Sequence, residues 1–198
     1  MARRKNGVTR HQNSKKIRNM LLIAMFAALT AIGAFLRIPT PLVPFTLQFL
    51  FCAYAGLFLG WRRGMASQLL YVGLGLIGIP VFTQGGGPAY VLQPTFGFLI
   101  GYILGAGVMG YGRGLLKSDR FFPLLGVVLC GITTIYICGF FYLHGILTLY
   151  LGKSLTLGQT FMIGIAPYIP SDFILSIIIA LTATKVLPIL RRQGFIDD

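Results

Sequence analysis

Apolar residues are grouped along this chain in long blocks, not at the short period of a half-buried helix or strand. A membrane-spanning helix needs about 20 mostly apolar residues, because the hydrocarbon core is about 30 Å thick and a helix rises about 1.5 Å per residue. The pattern therefore predicts an all-α membrane protein with six spans. Their predicted ranges are 17–38, 46–60, 65–79, 96–116, 122–151 and 169–190.

Three stretches depart from the ideal length. The second and third are short, whereas the fifth is long enough to overhang the bilayer or to contain a break. The segment 152–164 mixes polar and apolar residues between the fifth and sixth stretches. We expect it to form an amphipathic loop or a short interfacial helix.

Composition and charge agree with a membrane protein and indicate its topology. Of 198 residues, 56% are hydrophobic and 11% are charged, whereas soluble domains carry about 25% charged residues. The net charge of +13 is not gathered into a nucleic-acid-binding stripe, because the basic residues lie at the ends of apolar stretches. Fifteen of the 17 Lys and Arg residues fall on one side of a six-span topology, and only Arg37 and Lys153 fall on the other.

Basic residues concentrate in cytoplasmic loops, so both termini are predicted to be cytoplasmic. Three regions follow: a basic N-terminal segment 1–16, a six-helix membrane domain 17–190 and a cytoplasmic tail 191–198. The basic start followed by an apolar stretch resembles a signal peptide, but it lacks a convincing cleavage site. We interpret it as a retained first helix.

Two outward connections, 37–48 and 81–95, are rich in Pro, Gly and aromatic residues. Irregular backbone near membrane depth is tolerated where protein buries it or where it lines a cavity. A small-molecule site is therefore predicted under these loops. Besides Asp172, its candidate residues are Phe45, Thr46, Gln48, Gly86, Tyr90, Gln93 and Thr95.

Asp172 is the one carboxylate inside an apolar stretch, and ionisable groups there usually face a polar cavity or a partner. It is the strongest single candidate for ligand binding. The alternative is that Ser171 and Asp172 cap the last helix, and the two roles are compatible.

Other chemistry is poorly represented. Gly73, Gly75 and Gly78 match GxGxxG but lack the strand and the acidic residue of a dinucleotide site, so helix packing is the better interpretation. There is no P-loop, and with four acids and two histidines an enzyme is not expected. No metal site or cofactor is predicted either.

Small residues recur on the first helix, where Ala24, Ala28 and Ala31 are candidates for a docking face. Small residues spaced by four allow helices to approach closely. The face could serve a second membrane protein or packing within this chain.

Three strings together resemble a known family: Val43-Pro-Phe-Thr-Leu-Gln48, Gly78-Ile-Pro-Val-Phe82 and Pro94-Thr-Phe-Gly-Phe-Leu-Ile-Gly101. They are similar to the BioY family, the biotin-binding S components of energy-coupling-factor (ECF) transporters. The resemblance implies a six-helix S component in the bacterial cell membrane that captures biotin under its first and third loops. It further implies docking of the first helix onto a transmembrane T component, with two cytoplasmic ATPases completing the complex.

One departure from the family concerns the ligand. The family usually carries Lys three residues after the Asp of the last helix, and this chain has Leu175 there, while Gln93 replaces a usual small residue. Another cofactor precursor such as lipoate therefore stays open as the ligand. Two other classes also stay open: a self-sufficient transporter without ATPases, and an assembly protein without a ligand.

Overall fold

The computed structural model describes residues 2–38 and 43–193, with side chains from residue 13 onward. Residues 194–198 of the predicted tail and 39–42 of the first outer loop lie outside the described residues, as do the side chains of most of the basic segment. The described chain is almost entirely helical. Its α-helices are α1 (Ala2–Phe35), α2 (Gln48–Leu59), α3 (Trp61–Leu76), α4 (Phe96–Leu115), α5 (Phe121–Gly145), α6 (Leu157–Gly164) and α7 (Ile169–Arg192).

Minor elements complete the loops. Strands β1 (Arg37–Ile38) and β2 (Phe45–Thr46) pair antiparallel, so that Arg37 lies opposite Thr46. A 3₁₀ helix, Pro88–Leu92, precedes α4. A π-helical turn, Ile146–Tyr150, continues α5. The long fifth stretch is therefore one continuous helical stretch of 30 residues, as the overhang alternative requires, and not a broken one.

Among the described residues, four helices are long and apolar enough to cross a membrane: Asn13–Phe35, Phe96–Leu115, Phe121–Tyr150 and Ile169–Arg192. They correspond to the first, fourth, fifth and sixth predicted spans, so the chain is a multi-pass membrane protein. The second and third predicted spans correspond to α2 and α3, which are helical but have only 12 and 16 residues.

The predicted connection at Trp61-Arg62-Arg63 is wrong, because these residues form the first turn of α3. The reversal between α2 and α3 takes a single residue, Gly60, with φ 78° and ψ 172°. A positive φ of this kind is open to glycine at little steric cost. A long polar loop is therefore unnecessary at this point.

Helix α2 lies at the centre of the bundle, where it packs against α1, α3, α4 and α7. The most extensive helix pair is α4 with α5. There Gly101 allows the two backbones to touch, since a Cβ would lie 2.9 Å from the Cα of Ile135. The segment 152–164 contains a short helix, α6, which starts at a capping box made by Thr156 and Gln159. Its place at the membrane interface stays a prediction.

Candidate functional site

A cavity lies at the end of the bundle where α2, α4 and α7 begin. Its walls come from the first outer loop and the start of α2, from the loop before α4, and from the facing sides of α4, α5 and α7. Small-molecule sites usually carry a few placed polar groups on a mostly apolar, concave lining. This cavity matches that description.

Asp172 is the charged side chain among the described residues that line the cavity. Its Oδ2 accepts a hydrogen bond from the Tyr136 hydroxyl of α5 at 2.5 Å. Asp172 lies in the first turn of α7, but no side chain caps that helix. The carboxylate is therefore directed toward α5 and the cavity, and the capping interpretation does not hold.

A first group of polar side chains joins the start of α2 to α3. The Thr46 hydroxyl donates to Gln48 Oε1 at 3.0 Å, and Gln48 Nε2 donates to the Tyr71 hydroxyl at 2.8 Å. Tyr71 in turn donates to the Val81 carbonyl at 3.2 Å. Because these buried groups satisfy one another, the polar wall is held in one arrangement.

A second group lies in the loop before α4. The hydroxyls of Thr83 and Tyr90 are 2.9 Å apart, and those of Tyr90 and Thr95 are 3.5 Å apart. Hydroxyls can both donate and accept. This wall can therefore meet either a donor or an acceptor of a ligand.

The loops around the cavity are attached by side chains that donate to main-chain carbonyls. Arg37 donates to the Thr83 carbonyl, and Tyr168 donates to the Val43 carbonyl. Tyr142 of α5 donates likewise to Val91. The first loop and the loop before α4 are thus tied to each other and to the helices.

Helix N-termini add a fixed electrostatic contribution. Gln48 starts α2, Thr95 is the N-cap of α4 and Tyr168 is the N-cap of α7, and all three line the cavity. The N-terminus of a helix carries a partial positive charge. Three such ends at one cavity favour the Asp172 carboxylate and any negative group of a ligand.

The structure brings most of the sequence-predicted site residues to this cavity. Six line it: Phe45, Thr46, Gln48, Tyr90, Thr95 and Asp172. Gln93 is partly buried outside the lining. Gly86 packs instead against the loop, since a Cβ there would lie 2.3 Å from the Ile79 carbonyl oxygen.

Several lining residues were not predicted from the sequence. Tyr102, Tyr136 and Tyr168 supply hydroxyls from α4, α5 and the turn before α7, and Thr83 supplies one from the loop. Their signal in the sequence is weak, because tyrosine is common at the ends and interfaces of membrane helices without any ligand. The one signal that the sequence offers for Tyr102 and Tyr136 is that each places a hydroxyl within an otherwise apolar stretch.

A family model described as the BioY family matches residues 5–192. The chain belongs to the BioY family. A probable biotin transporter BioY of Lysinibacillus sphaericus is 46% identical over 173 residues, which cover 87% of this chain and 88% of that protein. The biotin transporter BioY of Thermotoga maritima is 35% identical over 175 residues, covering 86% and 96%. Both relatives are named as transporters and not as enzymes.

A crystal structure of the S-component for biotin from an ECF-type ABC transporter has the same fold. It matches this BioY-family chain with a TM-score of 0.78 at 27% identity, covering 89% of this chain and 94% of that one. The fold class predicted from the sequence is confirmed to this extent: an all-helical membrane protein of the S-component type.

Two further predictions concern residues away from the cavity. On α1 of this BioY-family chain, Ala24 and Ala28 are exposed and Ala31 is half-buried, so part of the alanine face is free of contacts within the bundle. Gly75 of the GxGxxG string packs against the Phe82 ring, where a Cβ would lie 2.0 Å from a ring carbon. That contact gives Gly75 a packing role against a loop residue. Close packing of neighbouring helices is not confirmed for the string as a whole, because a Cβ at Gly73 or Gly78 would have nothing within 4 Å.

Proposed function

We propose that this chain is the biotin-binding S component of an ATP-driven ECF vitamin transporter. The observation that carries the proposal is the cavity with one carboxylate at its wall, in a chain whose relatives are named biotin transporters. The chain would bind biotin in the membrane and contribute no cofactor or ATPase of its own.

The chemistry of the cavity suits the head group of biotin. Its ureido group has two N–H donors and one carbonyl acceptor, and an ionised carboxylate is a strong acceptor. With Oδ2 of Asp172 engaged by Tyr136, Oδ1 remains for a ureido N–H. The hydroxyls of Tyr90 and Thr95, which line the cavity, would donate to the ureido carbonyl, and Phe45 and Phe98 would supply apolar cover for the rings.

The partners and topology belong to the same proposal. The T component would dock on α1 at Ala24, Ala28 and Ala31, with two cytoplasmic ATPases completing the transporter. Helices α2 and α3 would complete six spans, with both termini in the cytoplasm. Gln93 and Gly86 would act through the shape of the loop before α4, since neither lines the cavity.

Titration calorimetry of the detergent-purified, ligand-stripped protein tests the proposal directly. We expect tight one-to-one binding of biotin and no competition by lipoate, which lacks the ureido group. Heat from lipoate alone would reassign the ligand. Absence of binding to either compound would contradict the proposed function.

Asp172→Asn is the variant that tests the site. It keeps the shape of the side chain but removes the charge, and hydrogen bonds to a charged group contribute about 1.5–3 kcal/mol. We therefore expect the Kd for biotin to rise about tenfold or more. Asp119→Asn is the matched control, because Asp119 forms an ion pair with Arg191, with a distance of 3.0 Å between the charged groups, and does not line the cavity. An equal loss of affinity in both variants would argue against a specific role for Asp172.

A further inference from the structure

The described lining of the cavity contains one acidic side chain and no basic side chain that could pair with an anionic ligand. Among the described residues, no Lys, Arg or His side chain lines it. Leu175, one turn beyond Asp172 on α7, is buried and apolar. A carboxylic acid ligand therefore needs its cation from somewhere other than the lining itself.

Arg37 lies beside two lining residues at once. In the β1–β2 ladder it is the partner of Thr46, and its Nη1 donates to the main-chain carbonyl of Thr83. Thr46 and Thr83 both line the cavity, on its two polar walls. The guanidinium thus lies at the rim where the first outer loop meets the loop before α4.

The remaining donors of Arg37 are suited to a carboxylate. A guanidinium carries five N–H donors in a fixed fork and matches a carboxylate in bidentate geometry. The Thr83 carbonyl engages Nη1 and fixes the direction of the side chain. Since Arg37 is exposed to solvent, it can stay charged without the cost of a buried cation.

The cations further along the described parts of α4 and α7 and in the loop after α5 lie away from the cavity. Arg113 follows Tyr102 on α4 by about 16 Å along the helix axis, and Lys185 follows Asp172 on α7 by about 20 Å. Lys153 lies in the loop after α5, and that loop contributes no residue to the cavity.

We propose that Arg37 binds the carboxylate of the ligand at the rim, while the head group lies inside with Asp172. Arg37 is then a specificity-determining residue that selects acids over neutral analogues. The inference rests on the proposed function, because it takes biotin as the ligand.

Binding of biotin and biotinamide, which has a neutral tail, to wild type and to Arg37→Gln tests this assignment. We expect wild type to bind biotin about tenfold or more tightly than biotinamide, since a charge-assisted bidentate pair is formed only with the acid. Arg37→Gln should bind both compounds with the affinity that wild type has for biotinamide, so that only biotin binding weakens. Arg37→Lys should restore part of the preference for biotin over biotinamide. High salt should reduce the preference in wild type.

The controls separate this inference from the proposed function. Lys153→Gln removes an exposed cation from another loop and should leave the preference unchanged. If wild type binds biotin and biotinamide equally well, no group selects the carboxylate and the inference is overturned. If Arg37→Gln keeps the wild-type affinity for both compounds, the helix N-termini account for the preference, which also overturns it. If Arg37→Gln weakens both compounds equally, Arg37 serves only to attach the loop, which also overturns it. Failure of wild type to bind biotin at all would overturn the proposed function itself.

Discussion

The hydrogen bond between Tyr136 and Asp172 determines how the one acid of the cavity is presented. One carboxylate oxygen is engaged by α5 at 2.5 Å, so a ligand meets the other oxygen in a fixed direction. Ordering a side chain before binding reduces the entropy lost when the ligand arrives. Tyr136 therefore positions the acid and need not touch the ligand.

Tyr136→Phe should weaken biotin binding about tenfold, because it removes one hydrogen bond to a charged group while keeping the ring. Calorimetry on the purified variant measures the change. Tyr111→Phe is the control, since Tyr111 lies exposed on α4. Unchanged affinity in Tyr136→Phe would mean that Asp172 does not depend on this contact.

At the scale of residues, the sequence predicted that Asp172 belongs to the cavity but not which side chains surround it there. A carboxylate in an apolar stretch is rare enough to identify Asp172 by itself. Tyr90 was predicted from its place in an outer loop, but nothing in the sequence indicates which tyrosines of the helices turn toward the same cavity, because that depends on the rotation of each helix about its axis. Tyr136 and Tyr102 could therefore be recognised only in three dimensions.

At the scale of elements, glycines set how closely helices approach. Gly110 of α4 packs against the corner between α2 and α3, where a Cβ would lie 2.3 Å from the Trp61 amide nitrogen and 2.5 Å from the Gly60 carbonyl carbon. These neighbours are main-chain atoms and cannot move aside as a flexible side chain can. The corner and α4 thus fit only without a side chain at this position.

Gly110→Ala should lower the free energy of unfolding by about 1–3 kcal/mol, the usual cost of overpacking. Thermal unfolding of the detergent-solubilised protein measures the loss. Gly114→Ala lies one turn further along the same helix with nothing within 4 Å of its Cβ, and it should be neutral or stabilising because Ala favours helix. Equal melting temperatures for the two variants would contradict the tight contact.

The elements themselves were largely predictable. Long apolar stretches predicted α4, α5 and α7 nearly to their ends, since hydrophobic length is a strong signal. The start of α1 was missed, because the helix begins at Ala2 and includes the basic segment that was predicted to precede it. The start of α3 was missed because Trp61, Arg62 and Arg63 read as a polar connection. Arginine side chains can reach toward a membrane surface from within a helix, so basic residues there do not require a loop.

At the scale of the whole molecule, the proposed six spans make a prediction about the sides of the membrane. Lys153 and Lys117 are both exposed residues of connecting loops and should lie on opposite sides. Single cysteines at these positions, in a chain with Cys52, Cys130 and Cys138 replaced, can be labelled with an impermeant thiol reagent. Lys153→Cys should react in intact cells and Lys117→Cys only after permeabilisation; the same behaviour at both positions would contradict six spans.

Helix α3 is shorter than the hydrocarbon core of a bilayer is thick, so the apolar surface of the protein is not equally tall on all sides. Its 16 residues extend about 24 Å, against about 30 Å for the hydrocarbon core, and Leu69 and Leu70 are exposed on its surface. In a six-span arrangement, acyl chains beside α3 must shorten, which produces a local hydrophobic mismatch on that flank. Because α2 is enclosed by other helices, the thinning of the bilayer is confined to one side of the protein. The bilayer is therefore thinner beside α3 than around the rest of the protein, and the cost of this deformation is smaller in a bilayer that is thin from the start.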